Sequence, residues 1–534
     1  MSMLLTAAQM RAVEKAAIDS GAVTGLELME RAGQGAIAAM LAEWPDLATG
    51  QRRAVVLCGP GNNGGDGFVV ARLLRDLGWT VAVFLHGDLA KLPPDARTNA
   101  RRWGEIWPLT TGEAARRAPA FDLKVDALFG TGLSRPLPAE LISVMTHAAF
   151  QTTDEQKTLA LDVPSGLSAD TGQVVAPDSG PAGAGCIAAD LTVTFHTMKP
   201  GHHLADGPAM CGRLAVVDIG LRDGPGSDGS DPRPAGCGLF DGERLKRGRS
   251  SPLSKAGGHK FDHGHALILS GGVGQGGAAR MATRGALRIG AGLVTIACPP
   301  AALIENAAQL NAIMLRALKD ADALAKALED DRINALCAGP GLGITPRTAD
   351  LVRQVLDARR NTVLDGDALT LVARDPDLFA RLHDRCVLTP HGGEFARLFP
   401  DIAHSMSAPV TEQHVFSKVD ATCAAAARAG CTVLFKGPDT VIATPQGDAS
   451  IHSAQYDRAV PWLATAGAGD VLAGFVAGLL ARGFAPMAAA ETAAWLHVEC
   501  ARRFGPGLIA EDLPDRLPSV LRDLLMSEPP AGVF

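Results

Sequence analysis

The feature that most narrows the fold is an alternation repeated along nearly the whole chain. A short apolar or β-branched run enters a turn, and an Ala/Leu/Arg-rich stretch of helical length follows. AVVLCG (54–59), VAVFLHG (81–87), HALILSGG (265–272) and LVTIACPP (293–300) each supply such a strand. Strand followed by helix, many times over, implies parallel sheets covered by helices on both faces. The expected fold class is therefore α/β, and 534 residues are too many for one ordinary core. Two three-layer αβα domains follow as the expectation.

The segment from Arg222 to Cys237, RDGPGSDGSDPRPAGC, concentrates Gly, Pro, Ser and Asp with almost nothing to bury. It marks the boundary: a first domain over 1–222, a linker over 223–239 and a second domain over 240–534. Apolar residues make up 47% of the chain and charged ones 20%, which excludes a mainly disordered protein. The formal charge of −7 comes from interspersed signs and offers no basic field for a polyanion, so no nucleic-acid partner is expected. Every long apolar stretch is interrupted by charge or turn residues, so no membrane helix is expected either. Ten scattered cysteines without a CxxC pair read as reduced thiols of a cytoplasmic protein. The start, MSMLLTAAQMRAVEKAAIDSG, acquires charge early and reads as an amphipathic helix rather than an export signal.

In the first half, the strand Ala54 to Cys58 runs into Gly59-Pro60-Gly61-Asn62-Asn63-Gly64-Gly65-Asp66-Gly67 and then the helix FVVARLLRDLG. Such a loop aims backbone N–H groups and a helix dipole at an anion. Gly59, Gly61 and Gly64 spell GxGxxG, but three features speak against a hydride-transfer dinucleotide fold. Two asparagines and Asp66 crowd the loop, Pro60 stiffens it, and the next strand ends in Leu85-His86-Gly87 without a ribose-binding carboxylate. The alternative is that Asn62 and Asn63 merely tolerate left-handed turn geometry. Downstream, VDALFGTGLSRPL sets Asp126 in an apolar strand ahead of a turn from Gly130 to Pro136, and LALDVPSGL ends a strand at Asp162 before Pro164-Ser165-Gly166. Alone, either aspartate reads equally as a cap or turn former. In a parallel sheet, polar residues at several strand ends converge on one crevice.

Residues 1 to about 222 resemble the NAD(P)H-hydrate epimerase domain through GPGNNGGDG, DALFGTGLSRP and LDVPSGL, in that order. The resemblance implies a Rossmann-like fold and a hydrate-binding set of Asn62, Asn63, Gly64, Gly65, Asp66, Gly130, Thr131, Gly132, Leu133, Ser134, Arg135, Pro136 and Asp162. It also implies K+ held by Asn63, Asp126 and Ser165, with Asp162 as the acid/base group. Exchanging configuration at C6 of a hydrated nicotinamide needs proton movement and a stabilised charged ring, which a carboxylate assists.

The strongest local signal lies further on. Leu463-Ala464-Thr465-Ala466-Gly467-Ala468-Gly469-Asp470 runs directly into the apolar helix VLAGFVAGLLARG. Gly467 to Gly469 would open a helix with free N–H groups facing developing phosphoryl charge, and Asp470 could take a proton from an attacking hydroxyl. The alternative is a plain helix cap, for which the glycines would be needlessly costly. No GxxxxGK[ST] loop occurs, so this is not a P-loop enzyme. Strand ends with polar turns recur at Cys337 to Gly343, at Asp365-Gly366-Asp367, at His391 to Glu394 and at Lys436-Gly437-Pro438-Asp439-Thr440. A second GxGxxG, in SGGVGQGG (270–277), precedes a strand with no acid at its end and reads as a ligand-lining turn.

Residues 240 to about 525 resemble the ADP-dependent NAD(P)H-hydrate dehydratase domain, a branch of the ribokinase-like fold, through HKFDHGHALILSGG, AGPGLG, LTPHGGE, FKGPDT and LATAGAGDVLAG. Ala464 stands where sugar kinases commonly carry an acid. The resemblance implies that Ala266, Gly343, His391 and Asp470 contact the hydrate, that Lys436 to Thr440 and Gly469 contact the AMP portion, and that Mg2+ accompanies ADP. It implies a homo-oligomer acting on the small molecules NADHX, NADPHX and ADP. The first domain would interconvert the R and S hydrates, and the second would dehydrate the S form, with Asp162 and Asp470 as catalytic residues. Two other readings stay open at this point. A small-alcohol kinase fused to a dinucleotide-binding regulatory domain would phosphorylate a vitamin or sugar and ignore hydrated cofactor, and a first half that only binds would be indifferent to Asp162→Ala.

Overall fold

Uninterrupted apolar strands, bounded by glycine turns, assemble into two separate sheets. The computed structural model describes every residue except 1, 134, 148–149, 154, 176–184, 222–235, 247–249, 256 and 527–534. Ser134 and most of the expected linker (223–235) thus lie outside the described residues. The chain divides into two compact units, one of residues 3–234 with 408–417, the other of residues 1–2, 235–407 and 418–534.

The first unit holds strands β1 (Arg53–Cys58), β2 (Thr80–Leu85), β3 (Trp107–Pro108), β4 (Leu123–Ala127), β5 (Lys157–Leu161), β6 (Leu191–Phe195) and β7 (Arg213–Val217). They lie in the order β3-β2-β1-β4-β5-β6-β7, every neighbour parallel. Chain order reverses between β1 and β4, and a parallel sheet opens a crevice at that point, beyond the carboxyl ends of its strands. Helices α1 (Ala7–Asp19) and α2 (Gly25–Glu43) each start at a threonine in a capping box, Thr6 with Gln9 and Thr24 with Glu27.

Helix α3 (Asn62–Asp76) starts six residues before the Phe68 expected from sequence. The run NNGGDG is thus its first turns and not a loop, because packing overrides the low helix propensity of glycine. A Cβ on Gly64 would stand 2.1 Å from the Gly59 carbonyl oxygen, and one on Gly67 2.6 Å from the Ala127 side chain. Only glycine lets this helix start lie against β1 and β4. Asn62 and Asn63 are not among the residues at positive φ, so the left-handed alternative is overturned.

The second unit contributes β8 (Cys237–Leu239), β9 (His265–Leu269), β10 (Leu293–Cys298), β11 (Met314–Ala317), β12 (Ile333–Ala338), β13 (Asn361–Leu364), β14 (Cys386–Leu388), β15 (Thr432–Phe435), β16 (Asp439–Ala443) and β17 (Ala449–Ser453). Their order is β11-β10-β9-β12-β13-β14-β15-β16-β17-β8, and only β16 runs antiparallel to its two neighbours. Here the order reverses between β9 and β12. Helix α4 (Gly277–Arg288), which α5 (Pro346–Asp357) and α6 (Lys418–Ala429) follow in the chain, crosses α7 (Ala468–Ala481) through small residues: a Cβ on Gly474 would meet the Ala282 carbonyl oxygen at 2.1 Å. Twelve of the fourteen α7 residues are buried, which explains a helix apolar on all sides. Each Val, Leu or Phe there contributes about 1.5–3 kcal/mol by leaving water. Among the described residues, no helix is long and apolar enough to cross a membrane.

Candidate active sites

In the first unit, the start of α3 and the turns after β4 and β5 meet around a cavity of about 370 Å³. Asn62, Asn63, Asp66, Gly130, Thr131, Gly132 and Asp162 line it, together with Glu14 of α1, Phe195 and Lys199. Gly64 and Gly65 are buried packing positions, and Leu133, Arg135 and Pro136 do not line the cavity.

Asp162 sits just after β5 at φ +65°, a backbone state costing about 1–3 kcal/mol for a residue with a side chain. Every side of it is held. Its N–H donates to Val193 O at 2.7 Å, and its carbonyl accepts from His202 Nε2 at 3.0 Å. Oδ1 accepts from Lys199 Nζ at 2.7 Å and Thr194 Oγ1 at 3.0 Å, and Oδ2 from Thr131 N at 3.3 Å. Lys199 is 1% exposed, and its remaining donors reach Thr194 Oγ1 and Phe195 O. Burial pushes the Asp162 carboxyl up, but the Lys199 charge and the bonds from Lys199 and Thr194 pull it below its usual value. Burial and the Lys199 charge drive His202 down to about 3, so it is a neutral ring, accepting at Nδ1 from Lys199 N and donating at Nε2.

Two other carboxyls of the cavity are pushed the opposite way. Burial, then the charge of Asp162, raises Glu14, and burial with Asp162 and Glu14 raises Asp66. An anion thus faces two carboxyls pushed toward their protonated forms, a division suited to proton transfer.

Beneath the cavity, Asp126 is wholly buried on β4. Its oxygens accept from Ser165 Oγ at 2.6 Å, Ser165 N at 2.8 Å and Leu128 N at 3.2 Å. Burial still holds its carboxyl above the ordinary value, although those hydrogen bonds and the Lys124 charge lower it. Nearby, Nδ2 of Asn63 is buried without a hydrogen-bond partner among the described residues. Turned over, that amide presents an oxygen. Two carboxylate oxygens, a hydroxyl and an amide oxygen suit a hard monovalent cation, so these residues fit one.

In the second unit, the ends of β12, β13, β14 and β15 and the start of α7 supply the polar groups. Gly467, at φ +88°, caps α7, and Asp470 occupies its first turn. Neutral His497, lowered by burial to about 4, bonds the Ala468 carbonyl at 2.9 Å. Lys436, just past β15, gives its ammonium to Asp365 Oδ1 at 2.7 Å, while Glu394 Oε2 stands 3.9 Å away. Thr389 Oγ1 donates to the same Asp365 oxygen at 2.7 Å. A Cβ on Gly469 would lie 3.4 Å from Lys436 Nζ, which ties the α7 start to this group. Burial and the charges of Asp365, Asp367 and Glu394, only partly offset by Lys436, push Asp470 up to about 7. It is a base poised at neutral pH.

Gly343 N donates to Asp367 at 2.8 Å, and His391 N to Glu394 at 2.9 Å, so both positions join the Asp470 surroundings through those carboxylates. Asp439 pairs with Lys418 at 2.7 Å, and Thr440 Oγ1 closes the turn onto Gly437 O at 2.7 Å, fixing residues 436–440. Ala266 is not brought to this group by its side chain, which is wholly buried in the core. The turn at 270–277 binds its own chain: Gly274 N donates to Glu305 Oε2 at 2.7 Å. Sequence reasoning missed Glu14, Thr194, Lys199, His202 and Lys418. The polar turn Lys199-Pro200-Gly201-His202-His203 after an apolar strand was the one local signal for the middle of that set.

Comparison with known proteins accounts for both halves. Residues 25–201 match the family model described as YjeF-related protein N-terminus, and residues 266–521 that described as NAD(P)H-hydrate dehydratase. A bifunctional NAD(P)H-hydrate repair enzyme of Moorella thermoacetica is 36% identical, over 98% of this chain and 97% of its own. The chain belongs to the bifunctional NAD(P)H-hydrate repair enzyme family. An NAD(P)H-hydrate epimerase of Roseobacter litoralis is 47% identical over 41% of this chain and 99% of its own. A solved ADP/ATP-dependent NAD(P)H-hydrate dehydratase of Bacillus subtilis, co-crystallised with ATP/Mg2+, is 27% identical, covers 54% of this chain and 99% of its own, and superposes with a TM-score of 0.44.

Proposed function

We propose that the first unit interconverts the R and S forms of NADHX and NADPHX, and that the second dehydrates the S form with ADP, releasing AMP and phosphate. The likeness to repair enzymes over 98% of the chain carries this reading. In the second unit, Asp470 takes the proton of the C6 hydroxyl as that oxygen attacks the terminal phosphoryl of ADP. The Gly467 to Gly469 amides stabilise the charge that develops on the phosphoryl oxygens. A hydroxyl leaves C6 poorly. A phosphate leaves readily with its bonding pair, and loss of a C5 proton to solvent then restores the C5=C6 double bond of the reduced ring.

Around Asp470 stand Asp365, Asp367 and Glu394, with Lys436 as the opposing cation. So much negative charge would repel a diphosphate; Asp367 and Glu394 would hold an Mg2+ accompanying ADP, whose charge would offset that repulsion. Lys436 to Thr440 and Gly469 receive the AMP portion. In the first unit, Asn63, Asp126 and Ser165 would hold K+, which would supply a positive charge beside the cavity, and Asp162 moves the protons. Incubating the chain with mixed NADHX epimers, with and without ADP, tests the whole reading by NADH absorbance. Recovery of both epimers with ADP is expected; recovery of S alone removes the epimerase half, and phosphorylation of an unrelated alcohol instead of the hydrate removes the dehydratase half.

A further inference from the structure

We propose that Glu14 is a second catalytic carboxyl of the first unit, the acid that protonates the departing C6 hydroxyl of the hydrate. The proposal deepens the epimerase reading above and rests on it. Its geometric ground is the cavity itself, where Glu14 of α1 shares one wall system with Asp162, Lys199 and the asparagines of α3. Nothing in the sequence pattern singled it out. Its helix, Ala7–Asp19, lies ahead of the residues 25–201 that match the family model.

Inversion at C6 requires the C6–O bond to break and re-form from the other face of the ring. When it breaks, the bonding pair leaves with oxygen, the N1 lone pair forms an N1=C6 double bond, and the Glu14 proton completes a water molecule. In the return step, water oxygen bonds C6 from the opposite face, the N1=C6 π pair goes back to N1, and Asp162 takes the proton that this oxygen loses. One proton has then passed from Glu14 to Asp162, and exchange with solvent resets both groups. The two carboxyls enter from different elements, α1 and the end of β5, so neither has to serve both steps.

The charges around Glu14 suit the role. Asp162 and Asp66 face it as anion and acid, Lys199 faces it from beyond β6, and Arg11 lies on its own helix. Burial and the Asp162 charge outweigh Lys199 and Arg11, so the Glu14 carboxyl holds its proton above its ordinary range. Asp66 is pushed the same way by burial, but it belongs to the first turns of α3. That location fits a hydrogen-bond donor to bound hydrate rather than a proton shuttle.

The test is epimer exchange by the full-length chain without ADP, followed against pH for the unaltered protein and for Glu14→Gln, Glu14→Asp and Asp66→Asn. Glu14→Gln is expected to lose about 100-fold in kcat. It should also lose the high-pH limb of kcat/KM, since an amide does not titrate. Glu14→Asp should keep that limb at a lower rate, and Asp66→Asn should keep it as well. Exchange by Glu14→Gln as fast as the unaltered chain overturns the proposal. So does a slower exchange that retains the high-pH limb, or loss of that limb in Asp66→Asn instead. Absence of exchange in the unaltered chain would overturn the epimerase reading itself, a result that none of the variants can mimic.

Discussion

Each unit places one aspartate at its chemical centre and one lysine beside it, and the two lysines are bonded differently. Lys199 bonds Asp162 directly and holds it ionised below its usual value. Lys436 bonds Asp365 instead, and Asp470, facing three further carboxylates, is left at about 7. A lysine in a site thus says little until its acceptor is known. Where it touches the base, it keeps the resting base ionised; where another carboxylate intercepts it, the base becomes one that gains and loses its proton near neutrality.

The largest effect that would test this contrast is at Asp470. Asp470→Asn should lower dehydratase kcat by about 10³-fold, within the range for losing a general base, while epimer exchange persists. Undiminished NADH formation would break the comparison at once. The same variant carries a stability signature. The folded value near 7 lies above the ordinary carboxylate value, so the protonated form is favoured by folding, and that contribution is present at low pH and lost as pH rises through about 7. Asparagine does not ionise. Its melting temperature should therefore exceed that of the unaltered chain above about pH 7, by a few degrees, and the gain should vanish near pH 4. A gain of equal size at both pH values would assign the effect to packing.

Lys199→Met comes next. Removing one partner of a buried pair leaves an uncompensated charge, at a cost of about 3–5 kcal/mol. Asp162 then loses the group that holds it ionised, so the acid limb of epimer exchange should move to higher pH. Thermal melting and the pH profile read the two parts separately. An unmoved limb would mean that Lys199 does not set the charge state of Asp162.

The crevices were legible where chemistry sits beside a strand end. Asp162, Asp365 and Lys436 each close a short apolar run, Asp126 lies within one just ahead of a glycine turn, and the α7 start opens another, so apolar pattern and turn residue coincide in sequence. What escaped depends on separation. Lys199 reaches Asp162 across 37 residues, and Lys436 reaches Asp365 across 71, so which carboxylate each lysine bonds follows only from the sheet order. Glu14 comes from a helix whose sequence carries no glycine turn or strand end to mark it. The α3 start escaped for the opposite reason: three glycines in the six residues 62–67 resemble a loop until the backbone they lie against is known.

Asp365→Asn sharpens the comparison by moving one site toward the other. With that carboxylate neutral, one repelling charge is gone and Lys436 is free to turn to Asp470. The acid limb of dehydratase kcat/KM should fall from near 7 by about one pH unit, the lower end of what an adjacent cation produces. A limb that stays near 7 would show that the neighbouring acids Asp367 and Glu394, rather than the Lys436–Asp365 bond, set the base.

The smallest effect lies at Thr194, whose hydroxyl donates to Asp162 Oδ1 and accepts from Lys199 Nζ. Thr194→Val keeps the shape and removes one neutral partner while the Lys199 bond to Asp162 remains. A single hydrogen bond of this kind contributes about 0.5–1.5 kcal/mol net, so epimer exchange should slow by no more than about tenfold and its acid limb should rise by a fraction of a unit. The comparison requires this ordering, because the resting charge of Asp162 is attributed to the ammonium and only adjusted by the hydroxyl. If Thr194→Val moved the limb as far as Lys199→Met does, hydrogen bonding rather than charge would hold Asp162 ionised, and the two lysines would no longer explain why the two aspartates differ.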